Sequence, residues 1–169
     1  PTEPITQAPT TPATEPTTEP STPVFSDFQV HFIDVGQADA ALILCDGQSM
    51  LIDGGNADDS SLMYSYLNRL GITYLDYVIG THAHEDHIGG ADMVLNTYNV
   101  KRVILPDATA TSKTFERMMD AIEAEKCEVI EATPDYVFKV GELVCTVLAP
   151  ISEKYSETNN YSVVIRADY

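Results

Sequence analysis

Cationic side chains are scarce in this sequence: 9 lysines and arginines stand against 26 aspartates and glutamates in 169 residues, a formal charge of −17. A chain so acidic does not grip duplex phosphates or an anionic membrane through ion pairs, which argues against a basic nucleic-acid surface. The acidity fits simple solubility, and it fits affinity for cations. Long apolar runs are also missing, and none approaches the ~18 residues needed to cross a bilayer. The sequence shows no initiator methionine and no charged-then-apolar leader, so we expect it to be trimmed at its start. Cysteine is sparse: Cys45, Cys127 and Cys145 make no disulfide framework and have no C-x-x-C neighbour. Cys45 and Cys145 sit in apolar, β-branched runs and read as buried small side chains, while Cys127 falls between a helical and a strand pattern. One structural disulfide among the three stays open.

What is present falls into two parts. Residues 1–25 hold seven of the ten prolines and eight threonines, with almost nothing large and apolar before Val24 and Phe25. Such a stretch cannot bury enough surface to offset its ordering entropy and reads as a linker. Residues 26–169 read as one domain, with room for a real core. A Thr/Pro/Glu linker ahead of a domain suits a spacer on secreted or surface-attached proteins, so the expected location is extracellular or at the cell surface, with attachment through the linker as one option.

Along the domain, Phe28, Val30 and Phe32 alternate with polar side chains in a strand pattern that stops at Asp34. Val35-Gly36-Gln37 turns into a buried run over 40–45, and Asp46-Gly47 is a hairpin signal before a short strand ending at Asp53. Leu62, Met63, Tyr66, Leu67 and Leu70 repeat at helical spacing, with Gly71 as a ready cap. A strand over 75–81 runs straight into His82. The pattern then predicts a helix from near Ile88 to Asn96, a strand over 100–105, and a helix through Phe115, Met118, Met119 and Ile122 that starts near Thr111 or Ser112. Strands are predicted over 128–131, 136–140, 142–149 and 161–167. Hairpin-rich strands followed by alternating helices and strands predict an α/β layered domain with a mixed sheet.

Three of the four histidines fall within residues 82–87, interleaved with two carboxylates in His82-Ala83-His84-Glu85-Asp86-His87. A strand end delivers them to a loop, where functional groups commonly sit. His82 and His84, one residue apart, can aim both imidazoles at one ion; Asp86 and His87, at the start of the next helix, could reach a second. Imidazole and carboxylate donors suit Zn²⁺, with Fe and Mn also admissible, and one or two such ions would lower the pKa of a bound water toward neutrality. Asp86 is the candidate catalytic carboxylate as well as a ligand, while Glu85 reads as loop support. The bland alternative, a histidine-rich surface loop, does not account for the spacing, the preceding strand and the following Gly89-Gly90. The amides of that pair could assist an anionic substrate.

Asp53, at the end of a buried strand and before Gly54-Gly55, could orient a ligating histidine, or cap a turn. Asp34 and Asp39 flank the Val35-Gly36-Gln37 turn and could line the same cleft or serve the turn alone. His31 reads as an edge residue, and Asn159-Asn160-Tyr161-Ser162 as a loop before a strand.

These residues resemble the metallo-β-lactamase superfamily, whose H-x-H-x-D-H motif is matched by His82, His84, Asp86 and His87. The resemblance is closest to the branch containing the extracellular domain of ComEC-type competence DNA-uptake proteins. It is carried by residues 31–40, 51–55, 86–90 and 159–162, and spans about residues 28–167. The resemblance implies an αββα sandwich, here its N-terminal portion, with a mixed sheet, flanking helices and a one- or two-zinc site. In that scheme His82 and His84 hold the first ion, Asp86 and His87 the second, and Asp53 supports them. The branch usually has glycine where this chain has Ala38, so the turn beside the cleft should differ slightly. The family's bridging aspartate and later histidines have no counterpart here, and four residues cannot fill two zinc sites. We therefore expect a fragment of a longer protein, with a degenerate half-fold as the alternative, and expect this chain alone to bind zinc weakly and turn nothing over.

The leading functional expectation is a metal-dependent hydrolase acting on a nucleic-acid or small-molecule phosphodiester. Hydrolysis of a lactam, lactone or thioester is the enzymatic alternative, and a non-catalytic extracellular binding half-domain the other.

Overall fold

The computed structural model describes residues 28–169. The linker read over 1–25 and the domain start at 26 lie outside the described residues. Nine strands form two sheets. The larger follows chain order: β1 (Gln29–Phe32), β2 (Ala41–Cys45), β3 (Gln48–Ile52), β4 (Tyr74–Ile79), β5 (Asn99–Leu105) and β6 (Glu128–Glu131). β1, β2 and β3 pair antiparallel, and β3 to β6 pair parallel, which makes the sheet mixed. The smaller sheet is antiparallel: β7 (Val137–Val140), β8 (Leu143–Ala149) and β9 (Val164–Asp168). Four helices intervene: α1 (Ser60–Arg69), the single turn α2 (Glu85–Ile88), α3 (Ala91–Thr97) and α4 (Lys113–Glu125).

The period-2 alternation of the strands sorts their side chains onto two faces. Leu42, Leu44, Leu51, Val78 and Val103 pack under Met63 and Leu67 of α1, Val94 and Leu95 of α3, and Met118 and Ile122 of α4. From the same strands Ile43, Cys45, Met50, Ile79 and Ile104 pack against Phe138, Val140, Leu143, Cys145 and Val147 of the smaller sheet. The layers are therefore helices, six-stranded sheet, three-stranded sheet. The fourth layer of an αββα sandwich is absent among the described residues, and Val137, Leu148 and Val164 of the smaller sheet are exposed.

Local chemistry places the boundaries. Asp46 (φ 48°) and Gly47 (φ 79°) both take left-handed backbone, as a two-residue hairpin of the right twist demands. Ser112, not Thr111, caps α4 by accepting from the Phe115 amide at 3.2 Å. The helix expected from Ile88 begins three residues earlier and is interrupted at Gly89-Gly90. A Cβ on Gly90 would lie 2.4 Å from the Gly54 carbonyl oxygen, and one on Gly89 2.4 Å from the Ala57 amide nitrogen. The two helical pieces flank a close backbone crossing that only glycine permits. The last strand starts at Val164 rather than 161, because residues Thr158–Tyr161 form a 3-10 turn first. Ala38 is not among the positive-φ residues, so alanine fits the turn where the branch usually has glycine. All three cysteines are free, which closes the disulfide option, and no helix of the described residues is long and apolar enough to cross a membrane.

Candidate metal centre

In a parallel α/β arrangement, functional groups gather at the carboxyl ends of the strands, where the following loops leave the sheet. β3 and β4 are parallel neighbours, and their ends deliver Asp53 and the Thr81–His82 pair side by side. The Asp53 amide donates to the Ile79 carbonyl at 2.8 Å, carrying the ladder one step past the strand end. Asp53 itself has φ 57°, a left-handed conformation tolerated by aspartate but uncommon for it. Three donors hold its carboxylate: the Thr81 amide on Oδ1 at 2.8 Å, and on Oδ2 the Thr81 hydroxyl at 2.6 Å and His87 Nδ1 at 2.7 Å. The carboxylate is almost wholly buried, so these bonds offset its desolvation.

The motif wraps around this anchor. His82 is buried, and its ring centroid lies 4.8 Å from that of His84 and 4.0 Å from that of His87. His82 Nε2 faces His84 Nδ1 at 3.2 Å. Two nitrogens each ~2.0–2.1 Å from one tetrahedral zinc would stand roughly 3.3 Å apart, so this pair fits a shared ion. His87 Nε2, on the far side of the ring from Asp53, lies 3.6 Å from Asp39 Oδ2. Asp86 Oδ2 accepts from Gln37 Nε2 at 3.3 Å, and the Asp86 carbonyl accepts from the Asp39 amide at 3.0 Å. The loop after β1 is thereby stitched to the motif. Among the described residues, no three His, Cys, Asp or Glu side chains converge closely enough to hold one ion.

Burial lowers the pKa of His82 from its ordinary value, and the neighbouring His87 and His84 rings push it further down. A neutral imidazole is the form that donates to a metal. The hydrogen bond to Asp53 raises His87 despite the opposing effect of burial. The two rings, in van der Waals contact, are thus biased toward opposite protonation states by their different partners.

The remaining candidates divide. Asp39, Asp53 and His87 line one cleft of about 330 Å³ with Phe32, Ile52, Thr81 and Ser162. Asp34 does not join them: it accepts from the Gly36 amide at 3.2 Å and faces a separate depression with Leu62, Tyr66 and Arg69. His31 bonds Tyr66 Oη at 2.9 Å from the edge strand. The Gly89 and Gly90 amides donate to the Glu85 and Gly55 carbonyls at 2.7 and 3.2 Å, so they are not available to an anionic substrate as the sequence suggested. Glu85 opens the α2 turn and is exposed.

Thr81, Gln37, Phe32 and Ser162 were not singled out from the sequence as site residues. Thr81 carried a signal, its place between a strand end and the first motif histidine. Ser162 is 80 positions from His82 and had no local signal beyond the 159–162 segment that the resemblance picked out.

Comparison with known proteins adds the family. Residues 33–144 match the family described as Metallo-beta-lactamase superfamily. The chain belongs to that superfamily. Among curated members it is 30% identical over 158 residues to ComE operon protein 3 of Bacillus subtilis (strain 168), covering 83% of this chain and 20% of that protein. It is 37% identical over 84 residues to Recombination protein 2 of Haemophilus influenzae, covering 47% of this chain and 10% of that protein. The chain thus spans a fifth or less of these curated relatives, and they agree with the ComEC-type branch read from the motifs. Among solved structures it is similar to a B3 metallo-beta-lactamase with an active-site glutamic acid (TM-score 0.59, 18% identity, 82% of this chain and 53% of that one). It is also similar to the chemotaxis sensor ODP, described as a peroxy diiron species (TM-score 0.58, 14% identity, 83% and 55%). At these identities the likeness is one of fold.

Proposed function

We propose that this metallo-β-lactamase domain carries part of a divalent-metal hydrolase site that cleaves phosphodiesters, with nucleic-acid-like polymers as the substrate class. The observation behind it is the facing pair His82 Nε2 and His84 Nδ1, 3.2 Å apart at the end of β4. These two nitrogens would hold a zinc ion, with iron or manganese as the alternatives, and Asp86 with His87 would serve a second ion. A metal so bound supplies a Lewis acid and a nucleophile from water at neutral pH. The chain's own residues do the rest. Asp53 fixes the His87 ring through Nδ1 and leaves Nε2 facing the cleft, and Gln37 fixes the Asp86 carboxylate. Asp39 sits across from His87 Nε2, and Phe32 offers an exposed aromatic face to the mouth of the same cleft. Two converging donors fall short of the three or four that zinc takes from protein, so the reading requires further donors beyond the described residues. The proposed location, extracellular or at the cell surface, rests on the linker composition and the branch resemblance.

A second reading has its own support. Because no three donors converge among the described residues, a non-catalytic binding module remains the alternative. Zinc content measured on this chain, and turnover of bis-p-nitrophenyl phosphate and single-stranded DNA by the longest polypeptide its gene encodes, distinguish them. Stoichiometric metal lost in His82→Ala and His84→Ala, together with turnover that needs the metal, supports the hydrolase. Bound metal with neither substrate cleaved removes the phosphodiester reading.

A further inference from the structure

Behind the His82 ring stand two hydroxyls, one from each sheet's connections. Thr81 Oγ1 lies 3.1 Å and Ser162 Oγ 3.2 Å from His82 Nδ1. A hydroxyl has one proton to donate and two lone pairs with which to accept. Thr81 spends its proton on Asp53 Oδ2 at 2.6 Å, and Ser162 spends its own on the Asn159 carbonyl at 2.6 Å. Both therefore meet His82 Nδ1 with a lone pair, and the complementary state of that nitrogen is N–H. The nearby His87 Nδ1 does not compete for these acceptors, because it donates to Asp53 at 2.7 Å. A neutral imidazole protonated on Nδ1 keeps its lone pair on Nε2, the atom that faces His84.

We propose that Ser162, acting with Thr81, is a positioning residue that locks His82 in the Nδ1–H tautomer and so presents its Nε2 lone pair to the cation shared with His84. The inference rests on the metal-centre reading above and adds what selects the donor atom. It also explains why the 3-10 turn before β9 belongs to the site. The turn supplies the Asn159 carbonyl that takes the Ser162 proton, and the next residue ties the segment down, its Val163 amide donating to the Thr81 carbonyl at 3.0 Å. Were that carbonyl moved away, the Ser162 proton could turn toward His82 Nδ1 and drive the ring to the opposite tautomer, with a hydrogen on the atom meant for the metal.

The tautomer can be read without metal by long-range ¹H–¹⁵N NMR of the metal-free chain. The wild type is expected to show His82 as a single Nδ1–H species. Ser162→Ala alone leaves Thr81 as acceptor, and the Thr81→Val/Ser162→Ala pair removes both, so a tautomer mixture should grow along that series. Ser162→Thr keeps a hydroxyl and should restore the single species. Zinc affinity by chelator competition should follow the same order, with the double variant weakened on the order of 10–100-fold. A wild-type His82 in the Nε2–H form overturns the proposal, as does a double variant with unchanged tautomer and unchanged zinc affinity. If no form of the chain binds zinc, the two nitrogens need the further donors named above before they hold an ion, while the tautomer series still decides whether Ser162 and Thr81 position His82.

Discussion

The two sheets carry similar apolar side chains but are enclosed differently. The six-stranded sheet is packed on both faces, by α1, α3 and α4 on one side and by the smaller sheet on the other. The three-stranded sheet is packed on one face and leaves Val137, Leu148 and Val164 exposed. Every motif side chain leaves the doubly enclosed sheet, whereas the smaller sheet contributes apolar cover and, just before β9, the hydroxyl of Ser162. A pair of imidazole nitrogens held 3.2 Å apart needs strand ends that cannot shift, and close packing on both faces supplies that rigidity. The sheets are tied together at the far end as well, where Gln48 Oε1 accepts from the Gly141 amide at 2.8 Å and Asp46 Oδ2 from the Glu142 amide at 3.0 Å.

The contrast is most easily broken by cavities. Leu44→Ala, in the fully buried layer under the helices, should cost about 2–5 kcal/mol in urea denaturation, while Leu148→Ala on the open face should stay within about 0.5 kcal/mol. Equal losses would mean that the outer face of the smaller sheet is covered in solution. Next comes the backbone crossing beneath the motif. Gly90→Ala places a Cβ where the Gly54 carbonyl stands, and should cost roughly 1–3 kcal/mol and weaken metal binding by moving α2 away from β3. Wild-type zinc affinity in that variant would uncouple the crossing from the site.

A smaller effect sharpens what double enclosure costs. Asp76 is buried on β4 and accepts from the Ser49 amide at 3.1 Å; burial raises its pKa, outweighing that bond and the attraction of Lys101 and Arg102. A raised folded-state pKa contributes stability that is fully present below the ordinary carboxylate range and is lost as pH rises through the folded value. Asp76→Asn should therefore match the wild type near pH 3 and be the more stable protein at about pH 7. A variant less stable at neutral pH would show that the charge is better compensated than its burial suggests. The mildest test is thiol labelling at about pH 8. Cys145, enclosed between the sheets with its pKa pushed up to about 11, and buried Cys45 should resist until the chain unfolds, while half-buried Cys127 reacts first. Early reaction at Cys145 would mean that the sheets part in the native state.

Much of this was legible locally. The alternation in β1, the Asp46-Gly47 hairpin, the Gly71 cap and the helical spacing of α1 and α4 each follow from near neighbours in sequence, and residues 33–144 match the family that the motif suggested. The errors have a common origin. The α2–α3 interruption depends on Gly54 and Asn56 approaching from more than 30 residues away, which no pattern around Ile88 reports. Gly89 and Gly90 looked like free donors because their acceptors, Glu85 and Gly55, are chosen by that same approach. Asp34 and Asp39 look alike in sequence; the turn at Gly36 sends one to the α1 side and the other to the cleft.

Composition and spacing alone determined the residue types available to the site and the strand that carries them, and the motif residues carried the resemblance to the family. Those properties depend on period, turn chemistry and donor chemistry, which are local. Tertiary structure alone decided which atoms face one another: Asp53 against His87, Gln37 against Asp86, and Ser162 against His82. Hydrogen bonds select by distance and direction to within a few tenths of an ångström, and positions 34, 49 and 80 residues apart acquire such relations only when the sheets have packed.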